Sequence, residues 1–246
     1  MRITALVLPA TFILFSCSYL PEDGSVRTFL RADGGDFALY YSGKAIPGKS
    51  FLMVPGGLVD PFVYECWINR LVAADSTVAV VLLKYPSNLA IANPGKVMRI
   101  INDHPEFEQW VIGGHSLGGV VAASVVHKNT DVFDGLVLLG SWSREASDLS
   151  GWAKPVLSMY GSEDQLATEK ELFDNSDYLP PVLRISTPEE LAGASGHTAY
   201  YEIAGGNHAG FGCYGPQKGD GVATIESTEQ QELMVEMLLS FFDLVW

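Results

Sequence analysis

The sequence is poor in cysteine and in basic residues, and both shortages narrow the classes of protein to consider. Three cysteines among 246 residues are too few for a disulfide framework, and no Cys-x-x-Cys or His-x3-His spacing indicates a metal site. Only 15 lysines and arginines stand against 29 aspartates and glutamates, which gives a formal net charge of −14. A surface this acidic repels phosphate backbones and anionic head groups, so nucleic acid is not an expected partner. The hydrophobic content of 48% nevertheless provides for a sizeable core.

The chain also lacks internal repeats, low-complexity tracts and linkers, so one domain is expected after the N-terminal segment. Short apolar segments alternate with helix-like segments, which predicts an α/β fold: a mostly parallel eight-stranded sheet with helices on both faces. The first two strands flank a Gly-Gly turn and are expected to be antiparallel. The predicted strands cover residues 26–30, 37–41, 50–54, 78–83, 110–113, 135–139, 155–160 and 199–203. The predicted helices cover residues 61–74, 95–102, 117–128, 168–173 and 229–242.

The N-terminal segment has the layout of a secretory signal. An uncharged apolar run, residues 3–15, follows Arg2 and precedes a Ser-Cys pair that ends in Cys17. This pattern resembles the lipobox of bacterial lipoproteins, which implies a signal peptide at residues 1–16. An uncleaved membrane anchor is the alternative, because residues 3–20 are uncharged and approach the ~20 residues that a spanning helix needs.

The lipobox resemblance implies a lipid on Cys17 and a single mature domain at residues 17–246. The protein would then be a membrane-anchored lipoprotein of the bacterial cell envelope that faces the periplasm or the exterior. With Cys17 lipidated, Cys66 and Cys213 remain in an oxidising compartment. They are expected either to form a disulfide or to stay as two buried thiols.

One short motif indicates a catalytic site with a nucleophilic serine. Residues 114–118 read Gly-His-Ser-Leu-Gly, the one Gly-x-Ser-x-Gly of the chain. An apolar strand enters the motif and a helix rich in small residues leaves it, which is the strand, sharp turn and helix of a nucleophile elbow around Ser116. The alternative is a glycine-rich turn whose serine only caps the helix. With this context the sequence resembles an α/β-hydrolase over nearly all of its mature length, and it is most similar to the compact, dienelactone-hydrolase-like bacterial serine hydrolases.

The resemblance implies a Ser-Asp-His catalytic triad in the chain order nucleophile, acid, histidine. Among the five histidines, His208 follows the last predicted strand in a Gly-Gly-Asn-His stretch, where the family has its Gly-x-His. His197, just before that strand, is the alternative base. Asp164 follows the strand at residues 155–160 and matches the family's acid, whereas Glu145 is the alternative acid after the preceding strand.

The oxyanion hole needs two backbone N–H donors. Leu117, directly after the nucleophile, is predicted to be one. Gly57, in the turn after the strand at residues 50–54, is predicted to be the other, with Leu58 as its alternative.

Only about fifteen residues separate two strands where many relatives insert a cap, so no large cap domain is expected. The glycine-rich segment 204–228 is predicted to form a wall of the site, because so long a loop in a compact domain is usually functional or disordered. Predicted substrate-binding residues are Leu58, His115, Phe211 and Tyr214.

The sequence therefore predicts a serine hydrolase that cleaves a small ester or lactone through an acyl-enzyme intermediate. Its expected partners are a small-molecule ester and, through the lipid anchor, a membrane. No cofactor or metal is expected. An acyltransferase with the same triad and a non-catalytic envelope binding protein that retains the fold are the alternatives.

Overall fold

The structure is a computed structural model that describes residues 19–21 and 28–246. The predicted signal peptide and the predicted lipidation site, Cys17, lie outside these residues. In the part of the chain that is described, no helix has the length and apolar character needed to span a membrane.

The described residues form nine strands and five α-helices. The strands are β1 Leu30–Asp33, β2 Phe37–Tyr40, β3 Lys49–Val54, β4 Val78–Leu83, β5 Gln109–His115, β6 Gly135–Leu139, β7 Val156–Gly161, β8 Val182–Ile185 and β9 Thr198–Ile203. The helices are α1 Glu65–Ala74, α2 Lys96–Asp103, α3 Leu117–Lys128, α4 Glu169–Asp174 and α5 Ser227–Val245. All nine strands belong to one sheet, in the order β1-β2-β4-β3-β5-β6-β7-β9-β8.

The sheet is mostly parallel, as the sequence predicts. Strands β1, β2 and β4 pair antiparallel, and all pairs from β4 to β8 across the sheet are parallel. Strands β4, β6 and β7 are buried at every residue, which requires helices on both faces of the sheet. Helices α1 and α5 cover one face, and α2, α3 and α4 cover the other. The prediction of an α/β fold without a large cap is confirmed.

Two strand predictions need correction. The sheet has nine strands rather than eight, because β8 pairs parallel to β9 at the edge of the sheet. Its sequence, Val-Leu-Arg-Ile, alternates exposed and more buried residues, so it lacks the continuous apolar character of a central strand. The first strand lies at Leu30–Asp33 rather than at residues 26–30, because the tight turn pairs Asp33 with Ala38. Residues 26 and 27 lie outside the described part of the chain.

A disulfide joins Cys66 on α1 to Cys213 in the long segment before α5. This settles the choice between a disulfide and two thiols in favour of the disulfide. The cross-link spans 147 residues of sequence, so it removes many conformations from the unfolded chain. It also ties the segment that carries His208 to the helix α1.

We predict that removing this cross-link lowers the free energy of unfolding by about 2–5 kcal/mol, as is typical of native disulfides. Reduction by dithiothreitol should then lower the melting temperature by roughly 5–15 °C in a domain of this size. The matched control is the double variant Cys66→Ala/Cys213→Ala, which should melt at the temperature of the reduced protein with or without dithiothreitol. A melting temperature that is the same before and after reduction would show that the cross-link contributes nothing.

Candidate active site

The carboxyl ends of the parallel strands meet at one edge of the sheet, where folds of this kind build their sites. Strand β5 ends at this edge before Ser116, β7 before Asp164, and β9 before His208. The turn after β3 and the segment after β6 reach the same edge, because β3 and β6 flank β5. The strand order therefore brings together residues that are far apart in sequence.

Ser116 lies on a strained turn between β5 and α3. Its backbone has φ 53° and ψ −125°, a left-handed conformation that is uncommon for a residue other than glycine. The turn closes only because both flanking positions are glycine. A Cβ atom on Gly114 would lie 2.3 Å from the carbonyl carbon of Gly118, and one on Gly118 would lie 2.3 Å from the carbonyl oxygen of Val54. The Gly-x-Ser-x-Gly motif thus forms the strand, turn and helix that its sequence predicts.

Asp164 and His208 form a buried pair. Nδ1–H of His208 donates to Oδ2 of Asp164 at 2.8 Å. The other carboxylate oxygen, Oδ1, accepts from the backbone N–H of Leu166 at 2.8 Å and of Ala167 at 2.6 Å. These bonds fix the carboxylate and keep the imidazole proton on Nδ1, which leaves Nε2 of His208 with its lone pair free to accept a proton.

Two residues that sequence reasoning missed hold the His208 segment in place. The carboxylate of Asp220 accepts from the N–H of His208 at 3.3 Å and of Ala209 at 2.8 Å. The buried side chain of Gln230 on α5 exchanges two hydrogen bonds with the backbone of Asn207, at 3.0 and 2.8 Å. The long segment 204–228 therefore positions His208 by bonding back to its own backbone and to α5.

Ser116 and His208 converge on Gly140, the residue after β6. The N–H of Ser116 donates to the carbonyl of Leu139 at 2.9 Å. A Cβ atom on Gly140, which has φ +50°, would lie 2.9 Å from Nδ1 of His208 and 3.0 Å from Oδ2 of Asp164. No hydrogen bond joins Ser116 Oγ to His208 Nε2 in the described residues, and Nε2 is buried without a partner there. Such contacts are often long before substrate binds and tighten in the complex.

His115 is buried beneath the site and contacts no solvent. The hydroxyl of Tyr64 accepts from the N–H of Gly56 at 2.9 Å and lies 2.9 Å from Nδ1 of His115. The imidazole ring of His115 packs against that of His208 with 4.6 Å between centroids. Burial, and next the neighbouring His208, hold the pKa of His115 well below its ordinary value, so the ring is neutral. This chain of contacts joins the turn after β3 to the ring of His208.

The turn after β3 lies against the start of α3, next to Ser116 in the chain. A Cβ atom on Gly57 would lie 3.0 Å from Cδ2 of Leu117, which places the turn after β3 directly against the start of α3. In the described part of the chain, the N–H groups of Gly57 and Leu117 have no hydrogen-bond partner. The N–H of Leu58, the alternative donor, instead donates to the carbonyl of Asn88 at 2.8 Å. The N–H groups of Gly57 and Leu117 are therefore available to donate hydrogen bonds to a bound ligand.

A cavity of about 180 Å³ opens beside Ser116. It is lined by Ser116, Leu117, Val120, Gly140, Ser141, Trp142, Arg144 and Leu166. Sequence reasoning missed most of these residues, because they come from three separate segments that only the strand order unites.

The side chains predicted to contact substrate lie elsewhere. Phe211 is fully buried, with its ring 5.7 Å from that of His115, and Tyr214 is 7% exposed and donates to Gln217. Neither lines the Ser116 cavity, and neither do Leu58 and His115. The segment 204–228 borders a different cavity, of about 310 Å³, that does not include Ser116.

Within the described part of the chain, the alternative triad residues form no hydrogen bond with the Asp164–His208 pair. His197 precedes β9 and lies at the amino edge of the sheet, where its Nδ1 is 2.9 Å from the carbonyl of Ser195. Glu145 is exposed in a short 3-10 helix, Glu145–Ser147, and forms no hydrogen bond to a histidine within the described residues.

Comparison with known proteins agrees with this architecture. Residues 50–232, more than half of the chain, match the alpha/beta hydrolase family. The chain therefore belongs to that family. No curated protein is significantly similar to it in sequence.

Solved structures of the same fold include several hydrolases. A thermophilic esterase from Thermogutta terrifontis superposes with a TM-score of 0.59 and 14% identity over 89% of this chain and 98% of that one. Est1E from Butyrivibrio proteoclasticus superposes with a TM-score of 0.57 and 12% identity over 87% of this chain and 98% of that one. A monoacylglycerol lipase from Paleococcus ferrophilus superposes with a TM-score of 0.57 and 15% identity over 82% of this chain and 99% of that one. Identities this low establish the shared fold alone.

Proposed function

We propose that this protein is a serine esterase that hydrolyses a small ester or lactone through an acyl-enzyme intermediate. The observation that carries the proposal is the buried pair of His208 and Asp164, which lies at the same edge of the sheet as a serine in the elbow conformation. The esterase and lipase activities named for the solved structures of the same fold are in keeping with it.

Each residue has one role in this mechanism. Ser116 Oγ attacks the ester carbonyl while Nε2 of His208 takes its proton, and Asp164 stabilises the imidazolium that forms. In this mechanism the oxyanion accepts hydrogen bonds from the N–H groups of Leu117 and Gly57, which stabilise the negative charge as it develops. His208 then protonates the leaving alcohol and next activates the water that releases the acid. The N-terminus of α3 favours the developing negative charge.

The small cavity limits the acyl group. A volume of about 180 Å³ is below that of most ligand pockets, and its apolar side chains suit a short acyl chain. Each methylene buried there should contribute about 0.8 kcal/mol, or roughly fourfold in kcat/KM, until the cavity is full.

We predict that kcat/KM for p-nitrophenyl esters rises from acetate to butyrate and falls for octanoate and longer chains. Hydrolysis should not accelerate above the critical micelle concentration of the substrate, because no lid is displaced. A maximum at long-chain esters, or a jump in rate on micelle formation, would contradict the proposal of a short acyl substrate.

We also propose that Cys17 is lipidated and anchors the protein to a membrane of the bacterial envelope. The disulfide supports export, since disulfides persist in oxidising compartments. Tyr19, two residues beyond Cys17, exchanges backbone hydrogen bonds of 2.9 Å with Leu58 and Asp60. Two residues of chain reach at most about 7 Å, so this anchor would hold the edge of the sheet that carries the site near the membrane surface.

The anchoring proposal predicts that the native protein partitions into the detergent phase of Triton X-114. Cys17→Ser should block lipidation and leave the precursor at its full mass, because the lipobox cysteine is both the modified residue and the one at the cleavage site. The control is Ser18→Ala, which keeps the cysteine and should be processed normally. A mature protein that is soluble and cleaved at another site would rule out the lipoprotein.

A further inference from the structure

Arg144 is a solvent-exposed residue of the segment after β6, and it lines the Ser116 cavity. Its carbonyl accepts from the N–H of Ser147 at 2.7 Å, and the buried Ser143 donates its hydroxyl to the carbonyl of Ser147 at 2.7 Å. Ser141, in the same segment, donates to the carbonyl of Ser116 at 2.7 Å. The backbone that carries Arg144 is therefore fixed relative to the proposed nucleophile.

The guanidinium of Arg144 has no partner among the described residues, whereas every other arginine there has one. Arg31 donates to carbonyl oxygens, and Arg70, Arg99 and Arg184 each pair with a carboxylate. Among the described residues that line the cavity, Arg144 is also the one that carries a charge. The full sequence has 29 acidic residues, yet none of the described ones pairs with the cation that lines the cavity of the proposed catalytic serine.

From this we infer that the substrate of the proposed esterase is an ester that also carries a carboxylate, which pairs with Arg144. A planar guanidinium can bind both oxygens of a carboxylate through two parallel hydrogen bonds. The rest of the wall, with Leu117, Val120 and Trp142, accommodates the short apolar part that joins the ester to the carboxylate. The inference rests on the proposed function, because it assigns the substrate class of the same site.

The net charge of the protein does not oppose this assignment. At physiological ionic strength, charges on distant parts of the surface are screened over about 8 Å. An anion inside the cavity therefore responds to Arg144 before it responds to the acidic surface as a whole.

The test compares monoethyl glutarate with ethyl pentanoate, two ethyl esters whose acyl chains have equal length and differ in the terminal carboxylate. Hydrolysis is followed by pH-stat titration at neutral pH with the full-length protein. The variants are Arg144→Gln, which removes the charge, and Arg144→Lys, which keeps it without the planar fork. The matched control is Lys128→Ala, which changes the net charge equally at the far end of α3, about 16 Å along the helix.

The wild type should prefer the anionic ester in kcat/KM, through KM more than kcat. Arg144→Gln should lower that preference about fivefold, the upper range for an exposed ion pair, while Arg144→Lys retains part of it. Lys128→Ala should retain the full preference for the anionic ester. Addition of 1 M salt should reduce this preference in the wild type and in each variant that retains it. Calorimetry with Ser116→Ala should show that monoethyl glutarate binds and that the double variant with Arg144→Gln binds it more weakly.

Two outcomes would overturn the inference while the esterase proposal stands. In the first, the wild type cleaves ethyl pentanoate at least as well as monoethyl glutarate. In the second, Arg144→Gln slows both esters equally, which would mean that Arg144 only supports the fold. If the wild type cleaves neither ester and labels with no fluorophosphonate, the proposed function itself fails, and the calorimetry alone then decides whether Arg144 binds a carboxylate.

Discussion

Ser116→Ala is expected to lower ester hydrolysis by at least about 10⁴-fold and to abolish labelling by a fluorophosphonate. The loss follows because no other hydroxyl occupies the elbow. The fold should be unaffected, since the hydrogen bonds that Ser116 forms with described residues all involve its backbone. Alanine adopts the strained φ of 53° no less readily than serine, so the melting temperature should change by less than about 2 °C.

The matched control for this variant is Ser124→Ala. Ser124 lies two turns further along α3 and should keep full labelling and full turnover. Activity is measured with p-nitrophenyl butyrate, and labelling is located by mass spectrometry of the peptide that contains residue 116. Labelling that persists in Ser116→Ala, or turnover that is undiminished, would show that another residue is the nucleophile.

The central strands and the elbow are the parts of this structure that the sequence predicts best. Strands β4 and β6 consist of continuous apolar residues because both of their faces are covered, so their character does not depend on distant neighbours. Gly114 is required within the elbow itself, because a Cβ atom there would lie 2.3 Å from the carbonyl carbon of Gly118. Signals of this kind are local, and they can be read without knowledge of the tertiary structure.

The walls of the cavity could not be predicted in the same way. Trp142 and Arg144 follow β6, and Leu166 follows β7, and they meet only because β6 and β7 are neighbours in the sheet. The aromatic residues of the long segment 204–228 suggest a wall, but Phe211 turns inward and joins the hydrophobic core. An apolar side chain in a glycine-rich loop is thus equally compatible with a substrate contact and with burial.

The pairing of the two cysteines is a second feature that the sequence alone does not predict. Whether Cys66 and Cys213 form a disulfide depends on α1 lying beside the segment that follows His208. Two isolated cysteines carry no spacing that indicates their distance in space. The support of His208 by Asp220 and Gln230 was missed for the same reason, because acidic and amide residues in a loop and on a helix surface are ordinarily solvated.

A second large loss of activity is expected when the proposed base, His208, or the proposed acid, Asp164, is replaced. His208→Ala should lower kcat/KM by about 10³–10⁴-fold or more, because the proposed mechanism makes His208 the acceptor of the Ser116 proton. His197→Ala and Glu145→Gln are the matched controls and should change turnover by less than about twofold. Neither residue forms a hydrogen bond with Asp164 or His208 among the described residues, so their loss leaves that pair intact.

Asp164→Asn provides the sharper test, because it changes the tautomer of His208 and little else. The amide oxygen of Asn should take the place of Oδ1, which accepts from the N–H groups of Leu166 and Ala167. The amide NH₂ then faces Nδ1 of His208, which must become an acceptor, and the imidazole proton moves to Nε2. A histidine that is protonated on Nε2 cannot take the proton of Ser116, so kcat should fall by about 10³–10⁴-fold with a small change in melting temperature. Full activity in Asp164→Asn together with a large loss in Glu145→Gln would transfer the role of the acid to the segment after β6.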